Sequence, residues 1–230
     1  MITRRNNYTK QLPSRDARKL YIFCEGEGTE PAYFSFFKGL STNLEIITIP
    51  PEHGPDPVKL KDLASEKLKV EGAKYIMDYS LADSVWFVID TDSWKNEGKI
   101  DVLRKYCSDC NEEFQQKYTE IRPYSAWNVV QSNPCFEIWL YYHFYEQKPN
   151  ADEVELFPSF KAFTNDRIHG GFDFQRDPAR IKEAVKNSRE NNTSEEDGSP
   201  ALFSTEVYEL AELILQFVAE HVDRLSRKME

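Results

Sequence analysis

One run does most to limit the fold: Ser84-Val85-Trp86-Phe87-Val88-Ile89-Asp90, five consecutive apolar residues closed by an aspartate. Such a run is too short for a buried helix. Rich in β-branched and aromatic residues, it reads as a strand covered on both faces, as in a parallel sheet. KLYIFCEG (19–26), LEIITI (44–49) and AWNVV (126–130) read as strands too. Helical stretches separate them. The first follows Thr29, its expected cap, and carries Tyr33, Phe34, Phe36, Phe37 and Leu40 on a broad apolar face. The second is predicted from about Val58 to Tyr79, with a break near Gly72. The third runs from about Lys99 to Tyr118, with Leu103, Tyr106, Cys107, Cys110 and Phe114 as its stripe. Ser132-Asn133-Pro134 then leads into a helix over CFEIWLYYHF (135–144). Strands alternating with segments long enough for crossovers predict an α/β fold with a mainly parallel four-stranded sheet flanked by helices.

Beyond about residue 146 the pattern turns helical. A short helix is expected in FPSFKAF, another near 178–190 opened by Asp177-Pro178, and a long one over 204–222 capped by Ser204 or Thr205. The expected organisation is a basic flexible arm (1–18), an α/β domain (19–146) and a helical extension (147–230) packed on it.

At 230 residues and 40% hydrophobic, the chain can bury a core. No apolar run approaches the roughly 20 residues that span a bilayer, and the charged N-terminus has no apolar segment behind it. Four cysteines in a chain of this length do not read as a disulfide scaffold, so reduced thiols and a cytoplasmic location are expected. Cys107 and Cys110 form a CxxC, but they lie in the helical stripe and read as core. A net charge of −10 argues against a broad surface that coats nucleic acid. The first 20 residues are different: Arg4, Arg5, Lys10, Arg15, Arg18 and Lys19 stand against Asp16 alone. They are candidate phosphate contacts; a solvated tail is the plainer alternative.

Acidic residues collect where strands end. In Asp90-Thr91-Asp92 the two carboxylates, two apart in extended chain, point one way. Together they repel, and they invite a hard divalent ion. In CEGEGTE (24–30), Glu25 closes the first strand, glycines allow close approach, and Glu30 enters the next helix. The spacing matches neither a P-loop nor a dinucleotide fingerprint. Glu137 falls near the same sheet end and is a further candidate ligand. Ligands of parallel α/β sheets bind beyond the carboxyl ends of the strands, where Glu25 and Asp90 would meet. The alternatives are solvated turns, and a core helix with a favourable N-terminal acid at Glu137.

YIFCEGEGTEPAYF, WFVIDTD, SNPCFEIWLYYHF and STEVYEL resemble the RloB-like family, itself similar to a divergent Toprim group related to OLD-family nucleases. The resemblance implies a Toprim-like fold and carries catalytic, metal-holding roles onto Glu25, Asp90 and Asp92, with Glu30 and Glu137 as further metal candidates. Where OLD-type nucleases place an acid four residues after the glutamate, this chain has Thr29, with Glu30 one position later. The implied cofactor is Mg²⁺ or Mn²⁺. The implied activity is phosphodiester hydrolysis of tRNA or other RNA by the effector of a bacterial anti-phage, abortive-infection system, with an AAA/ABC-type ATPase as partner. No tyrosine is assignable as a topoisomerase nucleophile. The competing expectations are a non-catalytic nucleic-acid-binding or regulatory subunit of an ATPase complex, and a nucleotidyl enzyme using the same acids.

Overall fold

In the computed structural model, which describes residues 10–91, 94 and 97–228, β1 (Arg18–Cys24) is the inner strand from which the sheet grows. β2 (Leu44–Ile49) and β3 (Ser84–Asp90) flank it, both parallel, with Phe23 opposite Ile49 and Cys24 opposite Val88. β4 (Trp127–Asn133) runs parallel to β3, bringing Ser132 opposite Asp90. Among the described residues the sheet has five strands, not four. A two-residue strand, β5 (Ser204–Thr205), pairs antiparallel with the end of β4, giving the order β2-β1-β3-β4-β5. The fold is therefore α/β, with a mixed, mostly parallel sheet flanked by helices and a helical C-terminal extension.

The apolar runs alternate across the sheet, as a period of two requires. Leu20, Ile22, Cys24, Trp86 and Val88 pack on one face, and Tyr21, Phe23, Val85, Phe87 and Ile89 on the other. The second face is covered by α2 (Pro57–Leu68) and α3 (Lys99–Lys117). α2 starts at Asp56, whose carboxylate accepts the Val58 N–H (2.8 Å), with Pro57 in its first turn. It ends at Leu68, well before the expected Tyr79. Gly72 sits at φ +75° in a turn, and the chain runs on irregularly to a short 3₁₀ turn at Tyr79–Leu81. On α3, Cys107 and Cys110 lie in the buried stripe with Leu103 and Phe114, and all four cysteines are free thiols. Burial pushes the Cys107 thiol up to about 12, which suits packing rather than reactivity.

The first face is covered by α1 (Thr29–Ser35) and α4 (Glu137–Tyr141). Two short helices follow, α5 (Ala151–Val154) and α6 (Phe160–Arg167), then α7 (Ile181–Asn191) and α8 (Val207–Ser226). Val207, Leu210, Ala211, Ile214 and Val218 of α8 join one buried cluster with Leu20 and Ile22 of β1. Two caps differ from expectation. Thr29 makes no cap bond and Gly28 holds the N-cap position of α1, while Glu30 folds back on Gly26. Ser204 and Thr205 lie in β5, although Thr205 Oγ1 still accepts the Val207 N–H (3.2 Å). No helix among the described residues is long and apolar enough to cross a membrane.

Candidate functional site

The sheet delivers its acids to one edge. β1 ends at Cys24, and Glu25 continues its ladder by donating N–H to the carbonyl of Val88 (3.1 Å). The Glu25 side chain then turns across β3. Oε2 accepts the backbone N–H of Asp90 (2.8 Å), and Oε1 accepts Nε1–H of Trp94 (2.6 Å). Glu25 is only 6% exposed, and such a carboxylate is tolerable because N–H donors face it. Asp90, the last residue of β3, uses Oδ1 to accept the N–H of Phe136 just before α4 (2.8 Å). The turn after β4, with its cis Asn133–Pro134 peptide, thus meets the end of β3.

Glu30 reaches back from α1 so that Oε1 accepts the Gly26 N–H (3.0 Å). A Cβ at 26 would lie 2.5 Å from Glu30 Oε2, so any larger residue there requires the Glu30 carboxylate to move. Burial pushes the Glu30 carboxyl above its ordinary value, and the charge of Glu137 adds to that push. Glu137 stands in the first turn of α4, paired with Lys161 of α6 at 3.3 Å. Glu27, Glu30, Asp90, Cys135, Glu137 and Lys161 line one cavity of about 500 Å³. The Cys135 thiol is pushed far up, by burial and then by the charges of Glu137 and Asp90.

Of the expected metal ligands, Glu30, Asp90 and Glu137 share this cavity, and Glu25 lies directly behind Asp90. Asp92, Arg4 and Arg5 lie outside the described residues. The donor set suits a hard divalent ion in kind, being carboxylate oxygen. Yet among the described residues no group of three or more His, Cys, Asp or Glu side chains is arranged to hold a metal. With Asp92 outside the described residues, that absence does not bear on the expected trio of Glu25, Asp90 and Asp92, and the described acids are turned to other partners. Glu25 faces two N–H donors, Glu30 is turned onto Gly26, and Glu137 is engaged by Lys161.

The basic candidates sit elsewhere. Arg18 and Lys19 begin β1, at the opposite end of the sheet from Glu25, about 20 Å away by the rise of a strand. Lys19 Nζ pairs with Asp83 (3.7 Å), and burial lowers the half-buried Arg18. Lys10 donates to the carbonyl of Ser35 (3.1 Å), and Arg15 is exposed in a segment pinned by Gln11 N–H to Gly39 O and Ser14 N–H to Thr42 O.

Sequence reasoning missed Lys161, Trp94, Thr91, Gln131, Arg104 and Glu206. Lys161 had one local signal, the Ser159 cap that places it in the first turn of α6. Glu206 stands inside STEVYEL, where the local pattern points only to a helix.

Fold and site together define an α/β protein with a mostly parallel sheet whose carboxyl edge is acidic. A sequence model described as RloB-like protein matches residues 20–214, and the chain belongs to the RloB-like family. No curated protein and no solved structure matches it.

Proposed function

We propose that this RloB-like protein is a divalent-metal-dependent nuclease with a Toprim-like fold, acting on RNA in the cytoplasm as the effector of an anti-phage defence system. The observation that carries the reading is the junction of Glu25 and Asp90, two acids from neighbouring parallel strands, at the edge of a cavity that Glu30 and Glu137 also line. Parallel sheets bind their ligands at that edge. In this reading Asp90 and Glu25, with Asp92 beyond Thr91, hold Mg²⁺ or Mn²⁺. The ion's chemistry is to neutralise phosphate charge and to lower the pKa of water. Glu30, whose carboxyl is raised by burial, lines the same cavity as Asp90. An ATPase partner fits a chain whose own sequence has no P-loop.

A second reading is a binding or regulatory subunit that keeps the acidic cavity without cutting. It is favoured by the engagement of Glu137 by Lys161 and of Glu25 by two N–H donors. Incubation of the full chain with Mg²⁺ or Mn²⁺ and separate samples of tRNA, single-stranded RNA and DNA distinguishes the two. New fragment ends that vanish with chelator and with Asp90→Asn support the nuclease. Intact substrate under every condition, an ATPase partner included, leaves the binding subunit.

A further inference from the structure

The edge that carries Asp90 is tied to the distant C-terminal part by a hydrogen-bond chain whose direction is fixed at both ends. Arg104 Nη2 of α3 donates to Gln131 Oε1 (3.0 Å) and to Glu206 Oε2 (2.7 Å). Glu206 brackets the backbone of Gln131: its Oε2 accepts that residue's N–H (3.0 Å), and its own N–H donates to the Gln131 carbonyl (2.9 Å). Gln131 Nε2 donates to Thr91 Oγ1 (2.9 Å), and Thr91 Oγ1 donates to the carbonyl of Ser132 (2.9 Å). A guanidinium only donates and a carbonyl only accepts. The buried Gln131 amide therefore has one orientation, since a flipped amide would set its NH₂ against Arg104.

The chain ends on the residue that follows Asp90. Thr91 N–H also donates to Ser132 O (2.8 Å) and Pro134 O (3.2 Å), so its backbone and side chain are both held. Thr91 is buried and does not line the acidic cavity. Neighbouring side chains in extended chain point opposite ways, so the grip on Thr91 decides where Asp90 points.

We infer that Thr91 and Gln131 are positioning residues for the Asp90 edge, locked by Arg104 and Glu206. The inference rests on the metal-dependent reading above, and it extends that reading to four residues outside the cavity. Partners that orient metal ligands from behind alter metal affinity without touching the ion.

The test uses the full chain, Mn²⁺ alone as probe, and amide hydrogen exchange over residues 88–91 and 135–137. Thr91→Val and Gln131→Met are expected to weaken Mn²⁺ binding about tenfold and to speed exchange there, with Thr91→Ser within about twofold of wild type. Wild-type binding and exchange in both Thr91→Val and Gln131→Met would overturn the inference, as would equal damage in Thr91→Ser and Thr91→Val. If the unaltered chain binds no Mn²⁺, the metal reading falls. Exchange then decides the positioning claim alone: faster in Thr91→Val and Gln131→Met but not in Thr91→Ser supports it, and any other pattern overturns it.

Discussion

The backbone N–H of Asp90 lies 2.8 Å from Oε2 of Glu25, so the carboxylate that follows β1 is clamped onto the residue that ends β3. Removing either acid therefore has a structural cost beside any chemical one. Glu25→Ala leaves the donors of Asp90 and Trp94 without this acceptor, at about 1–3 kcal/mol for each buried donor that finds no substitute. Asp90→Ala strands the Phe136 N–H, whereas Asp90→Asn keeps an oxygen for it. Urea titration should rank Asp90→Asn above Asp90→Ala in stability. Both should lose metal-dependent cleavage by about 100-fold or more. Full cleavage by Asp90→Asn would remove this aspartate from the chemistry.

Gly26 and Glu30 should behave as a coupled pair. Gly26→Ala drives a Cβ into the Glu30 carboxylate and displaces its bond to the Gly26 N–H. In a Glu30→Ala background the clash has no partner. A double-mutant cycle read by urea midpoints should therefore show the second substitution milder by about 0.5–3 kcal/mol than the first alone. Additive effects would mean that the carboxylate swings aside at no cost.

His143 should make the fold sensitive to acid. It is buried between Tyr33 Oη, 3.1 Å from Nε2, and the carbonyl of Trp139, 2.9 Å from Nδ1, with Asp177 and Arg180 acting on it electrostatically from farther along the chain. Burial pulls its pKa down to about 3. The unfolded chain, with a histidine near 6.5, therefore binds a proton that the folded chain refuses. Stability is complete above about 6.5 and falls as pH drops toward 3, by at most about 1.4 kcal/mol per pH unit for one proton. His143→Gln should flatten this slope relative to the parent between pH 7 and pH 5. Parallel slopes in the two proteins would show that the histidine takes up its proton without unfolding.

The basic arm is best tested by removing residues 2–9, because the segment after them is already pinned by bonds from Gln11 to Gly39 and from Ser14 to Thr42. If Arg4 and Arg5 meet phosphates, the log–log salt slope for single-stranded RNA should fall by about 0.7 for each phosphate that the arm had neutralised. An unchanged slope would show that the arm meets no phosphate.

The sheet was legible because its strands carry their own signal. Ser84–Asp90 and Arg18–Cys24 carry apolar runs bounded by turn residues, and doubly covered strands need little else. The acids were legible for the same reason, since Glu25 and Asp90 stand at the ends of those runs. β5 was not, because Ser204 and Thr205 are polar and become a strand only through the end of β4. The helix expected to reach Tyr79 was legible as far as its break near Gly72, where the chain turns; the stretch beyond it stayed permissive in composition but runs on irregularly to β3. Partners were the least legible part. The link of Gln131 to Thr91 spans 40 residues and that of Arg104 to Glu206 spans 102, and no local pattern encodes either.

Glu206 also sets an order of manufacture. Glu25, Asp90 and Phe136 leave the ribosome early and can form their contacts while the remainder is still being made. The clamp on Gln131, and with it the grip on Thr91, waits for a residue translated just before the last helix. A chain interrupted between Glu137 and Glu206 carries every acid of the cavity and lacks the piece that fixes their aim. Whatever these carboxylates do, a half-made polypeptide is poorly equipped to do it.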